Sequence, residues 1–201
     1  MKKISTNMLS EEEMRSLAGL CPSDDPEFIE TWDLRWQVWK MLRTSQNLPK
    51  NWIRLQIKTT ILGYHPASYK VIGITRRALG EFAGPDGDFS PGWKSGRFQR
   101  AHLYPVRLLS KELMCMPTET TREQLSEWVW QRDIVVLSLK EENHQLEDRD
   151  FFLANTITFS NPGGRLFRDV GSRSAYGLEE KRFLQDILKS FLDDSKPMTE
   201  V

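Results

Sequence analysis

The sequence predicts an α+β domain, a mixed sheet with flanking helices, and three observations carry that expectation. The 201 residues are 39% hydrophobic and 28% charged, the composition of a chain that buries one core without staples. Apolar residues recur at helical spacing towards both ends, and strand-like runs lie between them. No internal repeat or low-complexity tract breaks the order. Residues 1–201 therefore read as a single domain, with a helical part over about 10–45, a mixed core over about 50–193 and a frayed tail over 194–201.

The elements follow in order. Ser10 to Glu13 has the capping-box spacing and opens a short helix through Leu17. Asp25 before Pro26 starts a second helix, with proline where its missing N–H costs nothing. Phe28, Trp32, Trp36 and Trp39 form one stripe on it, and such an aromatic stripe normally packs inward. Trp52 to Leu62 alternates apolar and polar residues and reads as a strand. Gly63 to Pro66 turns the chain. The segment 67–82 reads either as strand then helix, with Thr75 as cap, or as helix-turn-helix with Gly73 in the turn. Ala83 to Gly92 is a glycine- and proline-rich loop. Arg97 to Leu109 reads as a strand bent at Pro105. Thr120 to Glu123 is a second capping box, opening a helix to about Gln131. Asp133 to Leu139 is a buried strand, and Phe151 to Phe159 a further strand. Asn161 to Gly164 is a turn, and a last helix starts near Ala175.

No apolar run approaches the ~20 residues of a membrane span. Lys2 and Lys3 are not followed by an apolar stretch, so neither a signal peptide nor a membrane partner is expected. Cys21 and Cys115 lack metal-type spacing and read as reduced cytoplasmic thiols, with Cys115, between Met114 and Met116, buried. Net charge is zero, yet residues 51–111 carry ten basic and three acidic groups, whereas 112–201 carry eleven basic and seventeen acidic groups. Such asymmetry marks a polyanion-binding face or, equally, segments that interleave in space.

His102 is the first candidate. A histidine takes up a proton near neutral pH, and strand alternation would place it on one face with Arg100 and Tyr104. Lys94, Arg97 and Arg100 precede it and could hold phosphate, as could Arg76 and Arg77. A neutral imidazole beside a water and near cations is what phosphodiester hydrolysis needs. The run Lys140 to Asp150 offers Glu141, Glu142, Asn143, His144, Glu147, Asp148 and Asp150, donors that suit Mg²⁺ or Mn²⁺, or else a solvated loop.

Arg100 to Pro105, then a helix, then Ile134 to His144 resembles the HNH nucleases, the ββα-metal group, over residues 100–144. The resemblance implies a metal-dependent endonuclease that hydrolyses DNA, of restriction or mobile-element type, built on a ββα-metal core. It makes His102 the catalytic base, Asn143 the asparagine that orients it, and His144, or an acid after it, the metal-binding member. The implied cofactor is Mg²⁺ or Mn²⁺, and cutting both strands of DNA favours a homodimer. Gln56-Ile-Lys58 on a strand also resembles a variant of the PD-(D/E)xK nucleases. The rivals from another class are a non-catalytic DNA-binding module using the helix-turn-helix-like segment 67–82, and a protein-interaction domain using the tryptophan-rich helix.

Overall fold

The computed structural model describes residues 8–45, 47–62, 70–83, 98–161, 164, 166–167 and 178–194. It confirms the α+β class. The described helices are α1 (Glu11–Ala18), α2 (Pro26–Thr44), α3 (Lys50–Gln56), α4 (Arg76–Ala83), α5 (Val106–Cys115), α6 (Arg122–Arg132), α7 (Arg149–Asn155) and α8 (Leu178–Asp194). A π turn, Ile57–Ile61, extends α3. Strands β1 (Lys70–Thr75), β2 (Phe98–His102), β3 (Ile134–Leu139) and β4 (Thr156–Thr158) form one sheet in the order β2-β3-β1-β4. The central pair β1 and β3 is parallel, and β2 and β4 run antiparallel to their neighbours.

Both central strands are buried along their whole length, as expected where helices cover both faces. One face carries Ile72, Ala101, Ile134 and Val136 and packs on Trp32, Trp39, Ile57, Leu109 and Leu125. The other carries Val71, Ile74, Val135, Leu137 and Leu139 and packs on Ala78, Leu79 and Phe82 of α4 and Leu184 of α8. Gly73 lets β4 lie close to β1: a Cβ there would meet the Ile157 carbonyl oxygen at 2.8 Å.

Local signals explain the helix starts. Ser10 and Glu13 cap each other's backbone at α1, and Asp25 accepts from the N–H groups of Glu27 and Phe28 at α2. The box at α6 is Thr121 with Gln124, one residue beyond the expected pair, because the Thr120 hydroxyl turns back to the Pro117 carbonyl at 2.6 Å.

Several expectations are corrected. Residues 52–61 are helical, not a strand: Ile53, Ile57 and Ile61 recur every four residues and are the buried positions of the helix. The Gln56-x-Lys58 pair is thus on a helix, and the PD-(D/E)xK likeness loses its strand. Of the two readings of 67–82, strand then helix is borne out over the described residues, 70–83, and helix-turn-helix is not. The Thr75 hydroxyl accepts from the Ala78 N–H at 3.2 Å and starts α4 where β1 ends. Pro105 does not bend a strand but caps α5, its carbonyl accepting from Leu108 and Leu109. Residues 149–155 are helical, leaving a strand of three residues. Cys115 is exposed and Cys21 is the half-buried thiol, because α5 turns Leu109 and Leu113 inward and Cys115 away. The glycine- and proline-rich loop and the turn at 63–66 lie outside the described residues, except Ala83, which ends α4.

Candidate functional site

The site is built where β2 ends and β3 begins. Asp133 closes α6, its N–H donating to the Val129 carbonyl at 2.7 Å, and hands the chain to β3. Strand alternation turns its side chain to the face of Val135 and Leu137. His102, the last residue of β2, lies opposite Val135 in the ladder. The Leu103 N–H donates to the Ile134 carbonyl at 3.2 Å and holds the strand end in place. These two strand ends bring His102 Nε2 to 3.2 Å from Asp133 Oδ1.

The two partners differ in exposure. The imidazole is 23% exposed, whereas the carboxylate is fully buried. Neither Asp133 oxygen has a well-aligned hydrogen bond, so the ring is its one described ionic partner. A buried carboxylate strongly favours a cationic or proton-donating neighbour. Asp133 thus lies against the Nε2 side of the imidazole, in an ion-pair contact that is not aligned as a hydrogen bond. A buried carboxylate that orients a partly exposed imidazole is a recurring general-base arrangement.

The expected companions of His102 are distributed differently. Arg100 shares its strand and donates to the Phe167 carbonyl at 3.2 Å. Tyr104 is not on the histidine face. It lies beyond the strand end, donates to Glu112 and packs on the opposite core. Burial and Glu112 together push its phenol well above the usual range. Arg76 and Arg77 open α4 at the far end of the sheet. Arg76 sits 4.8 Å over Phe191, and Arg77 pairs with Glu141 at 3.0 Å. Lys94 and Arg97 lie outside the described residues.

Asn143 and His144 are not brought to His102. Val135, opposite His102, and Leu139, opposite Phe98, are the two ends of the β2–β3 register, ~13 Å apart. Asn143 follows a 3₁₀ turn (Lys140–Glu142) beyond Leu139. The residues there do not fit a metal centre. Glu142 is buried and accepts from the Thr75 hydroxyl and the Leu139 N–H at 2.7 and 2.9 Å. Asp148 caps α7, and Glu141 is ion-paired. Among the described residues no three His, Cys, Asp or Glu side chains are grouped to hold a metal ion.

A second chemically unusual group is Lys70, only 3% exposed, with its ammonium 4.2 Å over the Trp130 ring. Burial pushes its pKa down to about 8, while Cys21 opposes that shift. Burial raises Cys21 to about 11. Between pH 8 and 10.5 the unfolded chain holds the Lys70 proton and the folded chain does not, so this group adds stability as pH rises. At pH 7 the buried ammonium costs up to ~3 kcal/mol, offset by ~1 kcal/mol from the ring. Lys70→Met is expected to stabilise the protein by ~1–2 kcal/mol at pH 7. That gain should vanish above about pH 10, as read from urea unfolding of both proteins across the range.

Comparison with known proteins adds no relative: no family model, no curated protein and no solved structure matches the chain. Among the described residues no helix is long and apolar enough to cross a membrane.

Proposed function

We propose that this chain hydrolyses phosphodiester bonds of DNA, with His102 as general base and Asp133 as the residue that positions it. The carrying observation is the 3.2 Å contact between a half-buried imidazole and a wholly buried carboxylate at the sheet end. In the reaction His102 takes a proton from water, the oxygen bonds to phosphorus, and the bond to the leaving oxygen breaks. The leaving oxygen then regains a proton from the imidazolium or solvent. Arg100, two residues before His102 on the same strand and face, supplies positive charge near the phosphate. Asn143 and His144 take no part in this constellation. Mg²⁺ or Mn²⁺ is given no ligands and no step. The reading places the protein in the cytoplasm, and cutting both strands at one place calls for two copies.

The test is nicking of supercoiled plasmid by the wild type and His102→Ala, each with Mg²⁺, Mn²⁺ or chelator. Wild-type cleavage that falls at least ~100-fold in the variant supports the reading. Equal cutting by both proteins, or none by the wild type in any arm, overturns it. The second reading, DNA binding without cleavage, is favoured by one observation independent of His102: an unneutralised basic surface on α3 and α5.

A further inference from the structure

The middle of the sequence is basic, but its cations are not spent alike. Lys70 is buried, Arg76 covers a phenylalanine and Arg77 is ion-paired. Five others collect on two packed helices. Lys50, Arg54 and Lys58 follow one another at four-residue spacing along α3 and its π extension. Arg107 and Lys111 do the same on α5. All five are exposed.

Arg54 joins the two rows. Its Nε donates to Ser110 Oγ at 3.4 Å and its Nη2 to the Arg107 carbonyl at 3.3 Å. Lys50 to Lys58 spans ~12 Å of helix. Residues 50–61 contain no acid. The one acid of α5, Glu112, accepts from the Tyr104 hydroxyl. None of the five cations forms an ion pair with a described carboxylate, although Arg77, Arg122, Arg132 and Arg149 all do. The ridge thus keeps its charge uncompensated, and such a surface complements a polyanion.

We propose that the α3–α5 ridge is the binding surface for the phosphate backbone of duplex DNA. This rests on the phosphodiesterase reading and gives it an interface distinct from the arginines of α4. Arg107 lies five residues after His102, so the two Cα atoms are at most ~17 Å apart, although α5 packs on the sheet face opposite that of His102. Besides Leu55, which is exposed beside the basic row, the exposed apolar residue of α3 is Trp52, ~160° around the helix from Arg54. A membrane docked on it would leave Arg107 and Lys111 unused, whereas a duplex laid on the ridge meets both rows.

The test uses full-length His102→Ala protein, with chelator, and a fluorescent 20-base-pair DNA duplex over ~50–300 mM salt. A second protein adds Lys58→Gln, Arg107→Gln and Lys111→Gln, leaving Arg54 to hold the helices. A control adds Lys140→Gln, Arg182→Gln and Lys189→Gln, three exposed cations elsewhere. The ridge variant is expected to bind ~100-fold or more weakly near 100 mM salt, with its log–log salt slope reduced by ~3. The control should change less than ~3-fold. Unfolding curves for all three should coincide, since the altered side chains are exposed. Equal loss in ridge variant and control overturns the proposal. So does absence of duplex binding, tighter binding to duplex RNA, or preferential binding to vesicles rich in phosphatidylserine. A ridge that binds DNA in a protein whose wild type never nicks plasmid would sustain this inference and remove the hydrolase reading.

Discussion

His102→Ala and Asp133→Asn are each expected to slow plasmid nicking by ~10²–10⁴, and the double variant to slow it no further. The reason is that the two residues act as one unit. In the proposed reaction the imidazole accepts the proton, and the carboxylate fixes which nitrogen does so. Asparagine keeps the shape of Asp133 but can present an N–H to Nε2, which favours the wrong tautomer. Stability separates this account from a structural one. Asp133 is buried with no well-aligned hydrogen bond on either oxygen, so removing its charge also relieves a desolvation cost. Asp133→Asn should therefore unfold at the same urea concentration as the wild type or higher, while its rate collapses. Added imidazole should restore part of the rate to His102→Ala and none to Asp133→Asn, whose own ring still fills the site. Additive rate losses in the double variant, or a fall in stability that tracks activity, would refute the dyad.

Much of the fold was legible because its signals are short-range. The caps at Ser10 and Asp25 and the aromatic stripe of α2 act within a few residues of themselves, and β3 is a single apolar run. Residues 52–62 failed because two templates overlap. Leu55 and Ile57 alternate like a strand, while Ile53, Ile57 and Ile61 keep helical spacing. Only the packed core shows that Leu55 is exposed and the three isoleucines are buried. The candidate site was legible only in part, for a related reason. His102 stood out by its chemistry, but its partner depends on the β2–β3 register, which pairs residues 33 apart in sequence at His102 and Val135. Asn143 was the eye-catching polar residue after β3, whereas Asp133, before it, looked like an ordinary strand start. A carboxylate abutting six consecutive buried residues was the available signal, since such a group needs a partner.

Trp39→Ala is expected to cost ~3–5 kcal/mol, a large share of the ~5–15 kcal/mol that holds a domain folded. Two losses combine. The indole has no exposed surface, so its removal opens a cavity between α2, α3 and α5. Its Nε1 also donates to the Leu113 carbonyl at 3.0 Å. The last carbonyls of a helix have no partner within it, and α2 supplies donors to the end of α5 and the loop after it. Trp36 Nε1 reaches the Thr120 carbonyl at 2.9 Å, and Arg43 Nη2 reaches the Met116 carbonyl at 2.8 Å. The stripe is therefore core on one side and cap on the other. Trp39→Phe should recover most of the packing and lose ~1–2 kcal/mol for the orphaned carbonyl. Trp36→Ala, at a half-buried position, should fall between the two. Because α5 carries Arg107 and Lys111, the same loosening should weaken DNA binding by Trp39→Ala at temperatures where it is still folded. A tryptophan series that left urea midpoints unchanged would instead make this helix a surface for another protein.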